Sequence, residues 1–308
     1  MLRALGIGDL LVSVPALRGL RRAFPDDRIV LAAPDNLAEL VALTGAVDTL
    51  LPTPGLGALR WSGAGHLAVN LHGAGPESID DLLGTRPDRL LTHRHPDFPA
   101  LAGPPWREQV HEVRRWCELL AWHGVDADPD DLGLARPDTP SPARGAVVIH
   151  PGAGFPARRW PPERFAEVAR RLTKNGRRIV VTGGPNERDL AETVARQAGL
   201  PEDAAFAGRL GLGELAALVA DAELVISNDT GVGHLATAYG TPSVLLFGPT
   251  APAGWGPIGD RPQHVVLWAG ETSDPFADTV SPGLLRLSTE DILAAADAVD
   301  QRRGRAVG

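Results

Sequence analysis

The sequence predicts an α/β protein built from two doubly wound, Rossmann-like parallel-sheet domains that face a central cleft. Three observations predict it. Short apolar runs rich in Val, Ile and Leu alternate with longer amphipathic stretches along nearly the whole chain. A polar, proline-rich stretch at 135–145 divides this alternation into two halves. The glycine-bearing segments with the most polar chemistry fall where an apolar run ends and a helical pattern begins, the place where open α/β sheets bind ligands. At 308 residues the chain is long enough for two domains with sizeable cores. They are assigned to 1–140 and 141–308, with the last helix a candidate to pack back on the first domain.

In the first domain the apolar runs at 2–5, 28–32, 47–50, 66–71 and 89–91 read as strands, and helical periodicity fits 10–23, 36–43 and 107–123. The rhythm is clearer in the second domain. Strands fit 146–150, 178–182, 224–227, 243–247 and 264–267. Helices fit 162–174, 187–197, 212–220, 233–239 and 289–300, the last after an N-cap signal at Ser288.

Composition narrows the function. Hydrophobic residues make up 44% and charged residues 22%, as in an ordinary globular protein. A formal net charge of −8, with no basic stripe interleaved with aromatics, argues against a nucleic-acid partner. Cys117 is the single cysteine, which excludes disulfides within the chain and cysteine-based zinc sites. No apolar run approaches the roughly 20 residues of a membrane-spanning helix. No signal-peptide pattern precedes the first strand. The expectation is a cytoplasmic protein without a transmembrane segment, open to peripheral membrane association.

Four segments carry candidate chemistry. The most informative is Ser227-Asn-Asp-Thr-Gly-Val-Gly-His234, with a helix starting near Thr230 or Gly231. Free backbone N–H groups and the helix dipole favour an anion there, so the segment suits a phosphorylated ligand. Asp229 alone fits a cap, and His234 alone fits a satisfied core histidine. Its continuation, Phe247-Gly-Pro-Thr250, ends the next strand. The second segment, His150-Pro-Gly-Ala-Gly-Phe-Pro-Ala-Arg-Arg-Trp-Pro161, has glycines that let the backbone wrap a ligand. Its Arg158 and Arg159 offer fixed charge for phosphate, or are ordinary solvated loop residues. In the third, Thr182-Gly-Gly-Pro-Asn-Glu-Arg188, Glu187 either opens a helix favourably or accepts bonds from ribose hydroxyls. The fourth is Leu5-Gly-Ile-Gly-Asp-Leu-Leu11. Leu at position 11 spoils a dinucleotide fingerprint, which leaves Asp9 as a helix cap or a general base.

Taken in order, these stretches resemble glycosyltransferase family 9, the bacterial heptosyltransferases. The pieces are Gly8-Asp-Leu-Leu with Pro15-Ala-Leu17, His111-Glu-Val, His150-Pro-Gly-Ala, Arg159-Trp-Pro161, Gly183-Gly-Pro-Asn-Glu187, Asp229-Thr-Gly231 with His234-Leu235, and Phe247-Gly-Pro-Thr250. The resemblance implies the GT-B fold and a nucleotide-sugar donor, most often ADP-heptose, bound by the second domain; the helix amino end at Thr230–Gly231, aided by Arg158, would stabilise the leaving diphosphate, so no metal and no cofactor are expected. It implies Asp9 as catalytic base. It implies Gly152, Arg158, Glu187, Asp229, Thr230, Gly231 and His234 around the donor, with Arg158 where the family commonly has lysine. His72 and Arg94 are candidates for the acceptor, a carbohydrate or a small molecule.

The family often has an acid and a basic residue near the fourth strand. Here the stretch is Asn70-Leu-His-Gly-Ala-Gly-Pro-Glu77, without either at those places. This weakens the expectation of an anionic lipopolysaccharide acceptor, unless Arg89, Arg94, Arg107, Arg114 or Arg115 supplies the charge. It leaves natural-product glycosylation open. The expected reaction is inverting transfer without a metal. A nucleotide-sugar epimerase of similar fold and a non-catalytic nucleotide-sugar-binding protein are the alternatives. The Asp-x-Asp pairs at Asp126-Ala-Asp128 and Asp128-Pro-Asp130 read as surface turns.

Overall fold

The computed structural model describes residues 1–307, with side chains described through Arg302. The chain divides into two compact units, Met1–Ala135 and Arg136–Gly308.

The first unit contains α1 (Ile7–Ala23), β1 (Val30–Ala33), α2 (Ala38–Leu43), β2 (Thr49–Pro52), β3 (Leu67–Val69), α3 (Glu77–Gly84), β4 (Arg89–Leu91) and α4 (Glu112–Trp122). Strands β1 and β2 pair in parallel, as do β3 and β4. The strand expected at 2–5 shrinks to Leu2, which bridges Ala32 on one side and Asn70 on the other. Arg3 N–H donates to Ala32 O at 2.9 Å and Leu2 N–H to Val69 O at 3.0 Å, so this short segment stitches the two pairs together. The strand stops because Leu5 N–H turns back to Arg3 O at 2.9 Å, and α1 begins two residues later.

The helix expected at 107–123 starts only at Glu112. His111 is its N-cap, with extended ψ, and its Nδ1 accepts from Val113 N–H at 3.2 Å. The preceding carbonyls of Arg107, Glu108 and Val110 accept from the Arg115 guanidinium instead of from helical N–H groups. Arg115 is 5% exposed, so it is a structural cation and not the surface charge expected for an acceptor. Helix α3 was not legible in the sequence, because eight residues bury only Ser78, Ile79 and Leu82.

The second unit runs β5 (Val147–His150), α5 (Pro162–Lys174), β6 (Ile179–Val181), α6 (Arg188–Ala198), α7 (Leu212–Ala220), β7 (Leu224–Asn228), α8 (Gly231–Tyr239), β8 (Ser243–Leu246), α9 (Pro252–Trp255), β9 (His264–Leu267), α10 (Pro282–Arg286) and α11 (Thr289–Val307). Its five strands form one parallel sheet in the order β6-β5-β7-β8-β9. The order reverses between β5 and β7, the switch point where doubly wound sheets hold ligands. β5 and β7 are buried along their whole length, which explains the apolar runs Val147–Ile149 and Leu224–Ile226 within them. Val147, Ile149, Leu224, Ile226, Val244 and Leu246 pack with Phe165, Val194 and Val299 in one core cluster. Helix α11 contributes Ile292, Ala295, Ala296 and Val299 to that same core, so its apolar face is used within its own unit.

Two buried histidines shape the response to acid. Burial pushes His93 in the first unit and His264 in the second down to about 4. Nearby arginines, Arg115 and Arg261 respectively, add to the effect. Ser243 Oγ lies 2.8 Å from His264 Nδ1. Above the unfolded value of roughly 6.5 both states are neutral and the full stability is present. As pH falls, the unfolded chain takes up protons that the folded chain refuses, and each site costs up to about 3 kcal/mol by the folded value. The urea midpoint is therefore expected to fall between neutral and mildly acidic pH, and an unchanged midpoint would contradict two buried neutral rings.

Candidate active site

The residues expected on the donor side gather at the carboxyl ends of β5, β6 and β7. Asn228 ends β7 and is fully buried. Its Oδ1 accepts from Trp160 N–H at 3.0 Å, and its Nδ2 donates to Pro151 O at 2.8 Å. One amide thus ties the loop after β5 to the strand beside it, and every polar group of the clamp is satisfied. Trp160, also buried, anchors the far end of this loop by donating Nε1–H to Leu287 O at 3.1 Å.

The clamp sets Arg158 beside Asp229. Arg158 Nη1 is 3.9 Å from Asp229 Oδ2, and Thr250 Oγ1 donates to the same oxygen at 3.2 Å. Asp229 is 9% exposed. Arg158 Nε is buried without a hydrogen-bond partner among the described residues. Thr230 is the N-cap of α8 in an extended conformation, with no side chain closing the helix end, and Gly231 is the first helical residue. The first-turn N–H groups of α8 therefore open next to Asp229. His234 lies one turn further on, with its ring 6.1 Å from that of Trp255.

Glu187 and Gly152 meet directly. A Cβ on Gly152 would lie 2.2 Å from Glu187 Oε1 and 2.3 Å from its carboxyl carbon, so only glycine leaves room for this carboxylate. Glu187 Oε2 accepts from Gly184 N–H at 2.8 Å, which fixes the side chain across the start of α6. The helical reading and the ligand reading of Glu187 are thus compatible, since only one oxygen is engaged by that bond. His150 lies behind it, with Nε2 3.9 Å from Glu187 Oε2 and Nδ1 3.0 Å from Thr182 Oγ1. Burial lowers the His150 pKa, and the Glu187 charge opposes this.

In the first unit, Asp9 sits in the first turn of α1 and is both cap and ion-pair partner. Gly6 N–H donates to its Oδ2 at 3.3 Å. Arg3 Nη2 donates to its Oδ1 at 3.2 Å, and Asp9 keeps 29% of its side chain exposed. His72 stands close by, with Nδ1 accepting from Ala4 N–H at 3.2 Å. Burial and then the Arg3 charge lower the His72 pKa, so the ring is neutral at pH 7 and carries its proton on Nε2. Asn70, where the resembling family often has an acid, is fully buried. It donates to Ser78 Oγ at 3.0 Å and Thr92 Oγ1 at 3.2 Å, and it accepts from His72 N–H at 3.0 Å. It organises the turn and does not face a ligand.

Arg94 is exposed beyond β4, with its backbone N–H bonded to Pro104 O at 3.0 Å. Among the described residues, no hydrogen bond or ion pair joins it to Asp9 or His72. Sequence reasoning missed Arg3, Asn228 and Thr250 as members of these clusters. The signal for Arg3 was a charged residue inside an apolar strand pattern. Asn228 and Thr250 lay inside motifs already singled out.

Two parallel-sheet units carrying such loops define the GT-B class of glycosyltransferase. Residues 106–280, more than half of the chain, match the model of glycosyltransferase family 9 (heptosyltransferase), and the chain belongs to this family. It is 35% identical over 184 residues to lipooligosaccharide heptosyltransferase 2 of Haemophilus influenzae, an alignment covering 52% of this chain and 53% of that protein. The chain thus spans about half the length of that relative. It is 29% identical over 307 residues to lipopolysaccharide heptosyltransferase 2 of Escherichia coli K12, covering 86% of each. The solved structure of the E. coli ADP-heptose lipopolysaccharide heptosyltransferase II superposes with a TM-score of 0.75 at 18% identity, over 98% of both chains. Among the described residues, no helix is long and apolar enough to cross a membrane.

Proposed function

We propose that the protein transfers heptose from ADP-heptose to a hydroxyl of a lipopolysaccharide core sugar, with inversion and without a divalent metal. The observation that carries this reading is the Arg158–Asp229–Thr250 cluster at the amino end of α8. A diphosphate leaving group gains charge as the glycosidic bond breaks. The partly exposed Arg158 guanidinium and the amides of α8 offer donors fixed in advance for that charge. Asp229, a carboxylate, suits the sugar hydroxyls, as do Thr230 and His234. Glu187 accepts from the ribose with its Oε1. The names of the relatives and of the solved structure supply heptose, ADP and the lipopolysaccharide acceptor as the substrates to test first.

Asp9 takes the proton of the attacking acceptor hydroxyl, and neutral His72 offers Nε2–H to an acceptor oxygen. Arg94 adds exposed positive charge for an anionic acceptor. A small-molecule acceptor is the second reading. It is favoured because no Lys or Arg occurs between Arg60 and Arg86.

The direct test is incubation with ADP-heptose, with and without acceptor, followed by product analysis. Release of ADP that depends on acceptor, with the anomeric centre inverted, is expected. An isomerised donor without acceptor would indicate an epimerase, and binding without turnover would indicate a binding protein. Gly152→Ala is expected to displace the Glu187 carboxylate and weaken ADP binding about 10-fold, near 1.4 kcal/mol. Gly154→Ala has nothing within 4 Å of the added atom and is expected to bind normally. Equal calorimetric affinities for the two variants would remove Glu187 from the donor site.

A further inference from the structure

We infer that Arg3 is a positioning residue for Asp9, and that Glu112, by sharing the charge of Arg3, sets how strong a base Asp9 is. This rests on the reading of Asp9 as the group that deprotonates the acceptor. Arg3 is 1% exposed and grips Asp9 at two points. Its Nε donates to the Asp9 backbone carbonyl at 2.9 Å, and its Nη2 donates to Oδ1 at 3.2 Å. Nη1 donates to Leu71 O, and the guanidinium lies over the Trp116 ring, 4.8 Å from the centroid. Bonded through Nε, Nη1 and Nη2, the cation holds one orientation. Asp9 is held with it, and its exposed side is left for a substrate.

The same Nη2 lies 3.6 Å from Glu112 Oε1. Glu112 is 12% exposed, and its Oε2 accepts from Arg115 Nε at 2.9 Å. Alternating charges therefore run Asp9, Arg3, Glu112, Arg115, drawn from the segment before α1, from α1 and from α4. His72 faces Arg3 and Asp9 from the end of β3 and is neutral, with Asp81 acting on it from α3. A carboxylate beside a dedicated buried cation is a poor proton acceptor, because the cation favours the charged form. A second carboxylate on that cation cancels part of the field that Arg3 exerts on Asp9. An ordinary core ion pair would hold the fold together equally well without Glu112 influencing the proton step.

The test is the pH dependence of kcat/KM for acceptor at saturating donor, with Tm measured alongside, in wild type, Glu112→Gln, Arg3→Gln and Asp9→Asn. Glutamine at 112 keeps an acceptor oxygen for Arg115. Its acidic limb is expected to move to lower pH by about half a unit or more, with a lower plateau kcat and an unchanged donor KM. Arg3→Gln is expected to move the limb the other way by about one unit. If that variant does not fold, Glu112→Gln decides alone. A limb that stays or rises in Glu112→Gln overturns the inference. If Asp9→Asn is inactive while the Glu112→Gln limb stays, only the inference fails. If Asp9→Asn retains turnover, the reading of Asp9 as base fails as well.

Discussion

Asp9→Asn is expected to keep donor affinity within a few-fold while turnover falls by about 100-fold or more, the range that positioned general bases contribute. The substitution is nearly isosteric. The amide oxygen can still accept from Arg3 Nη2, but its Nδ2 cannot accept from Gly6 N–H, so Tm measured beside turnover separates lost proton transfer from lost fold. One cost accompanies it. Arg3 is buried, and losing one of its two carboxylate partners leaves it leaning on Glu112. A Tm drop of a few degrees is therefore expected beside the kinetic effect. Turnover near that of wild type would mean that another group takes the proton.

Arg158→Ala is expected to reduce kcat by about 100-fold, comparable to removing one preorganised donor from a developing anion. Ground-state donor binding should weaken less, because the diphosphate is already charged and retains the amides of α8. Arg158→Lys should restore part of the loss. An ammonium keeps the charge but lacks the fork that reaches from the neighbourhood of Asp229 to a phosphate oxygen. Variants with wild-type kcat and raised KM alone would assign Arg158 to uniform binding and remove it from leaving-group stabilisation.

The parts of the fold legible in the sequence were those governed by burial on both faces. β5, β7 and β8 are mostly apolar and buried along their length, and all three emerge with ends within a residue or two of expectation. The segment at 2–5 looked like a strand by the same rule. Its backbone turns at Arg3 and Leu5, which composition does not encode. The helix at 107–123 lost its first turn because Arg115 satisfies the preceding carbonyls from within the helix. The loops proposed to hold the donor were legible because strand-to-helix turns are local. The Arg3–Glu112 contact spans 109 positions, and no local pattern predicts a long-range contact between side chains. Asn70 illustrates the opposite lesson. A missing acid looked like a change in ligand chemistry, while the amide is committed to Ser78, Thr92 and His72.

The most direct measurement is calorimetric titration of ADP-heptose into the wild-type protein and Asp229→Ala, in competition with ADP. Saturable binding that ADP displaces, and that Asp229→Ala loses, is the predicted result. A wild-type protein that ignores ADP-heptose, or an Asp229→Ala variant that binds it unchanged, would contradict a donor site at the amino end of α8.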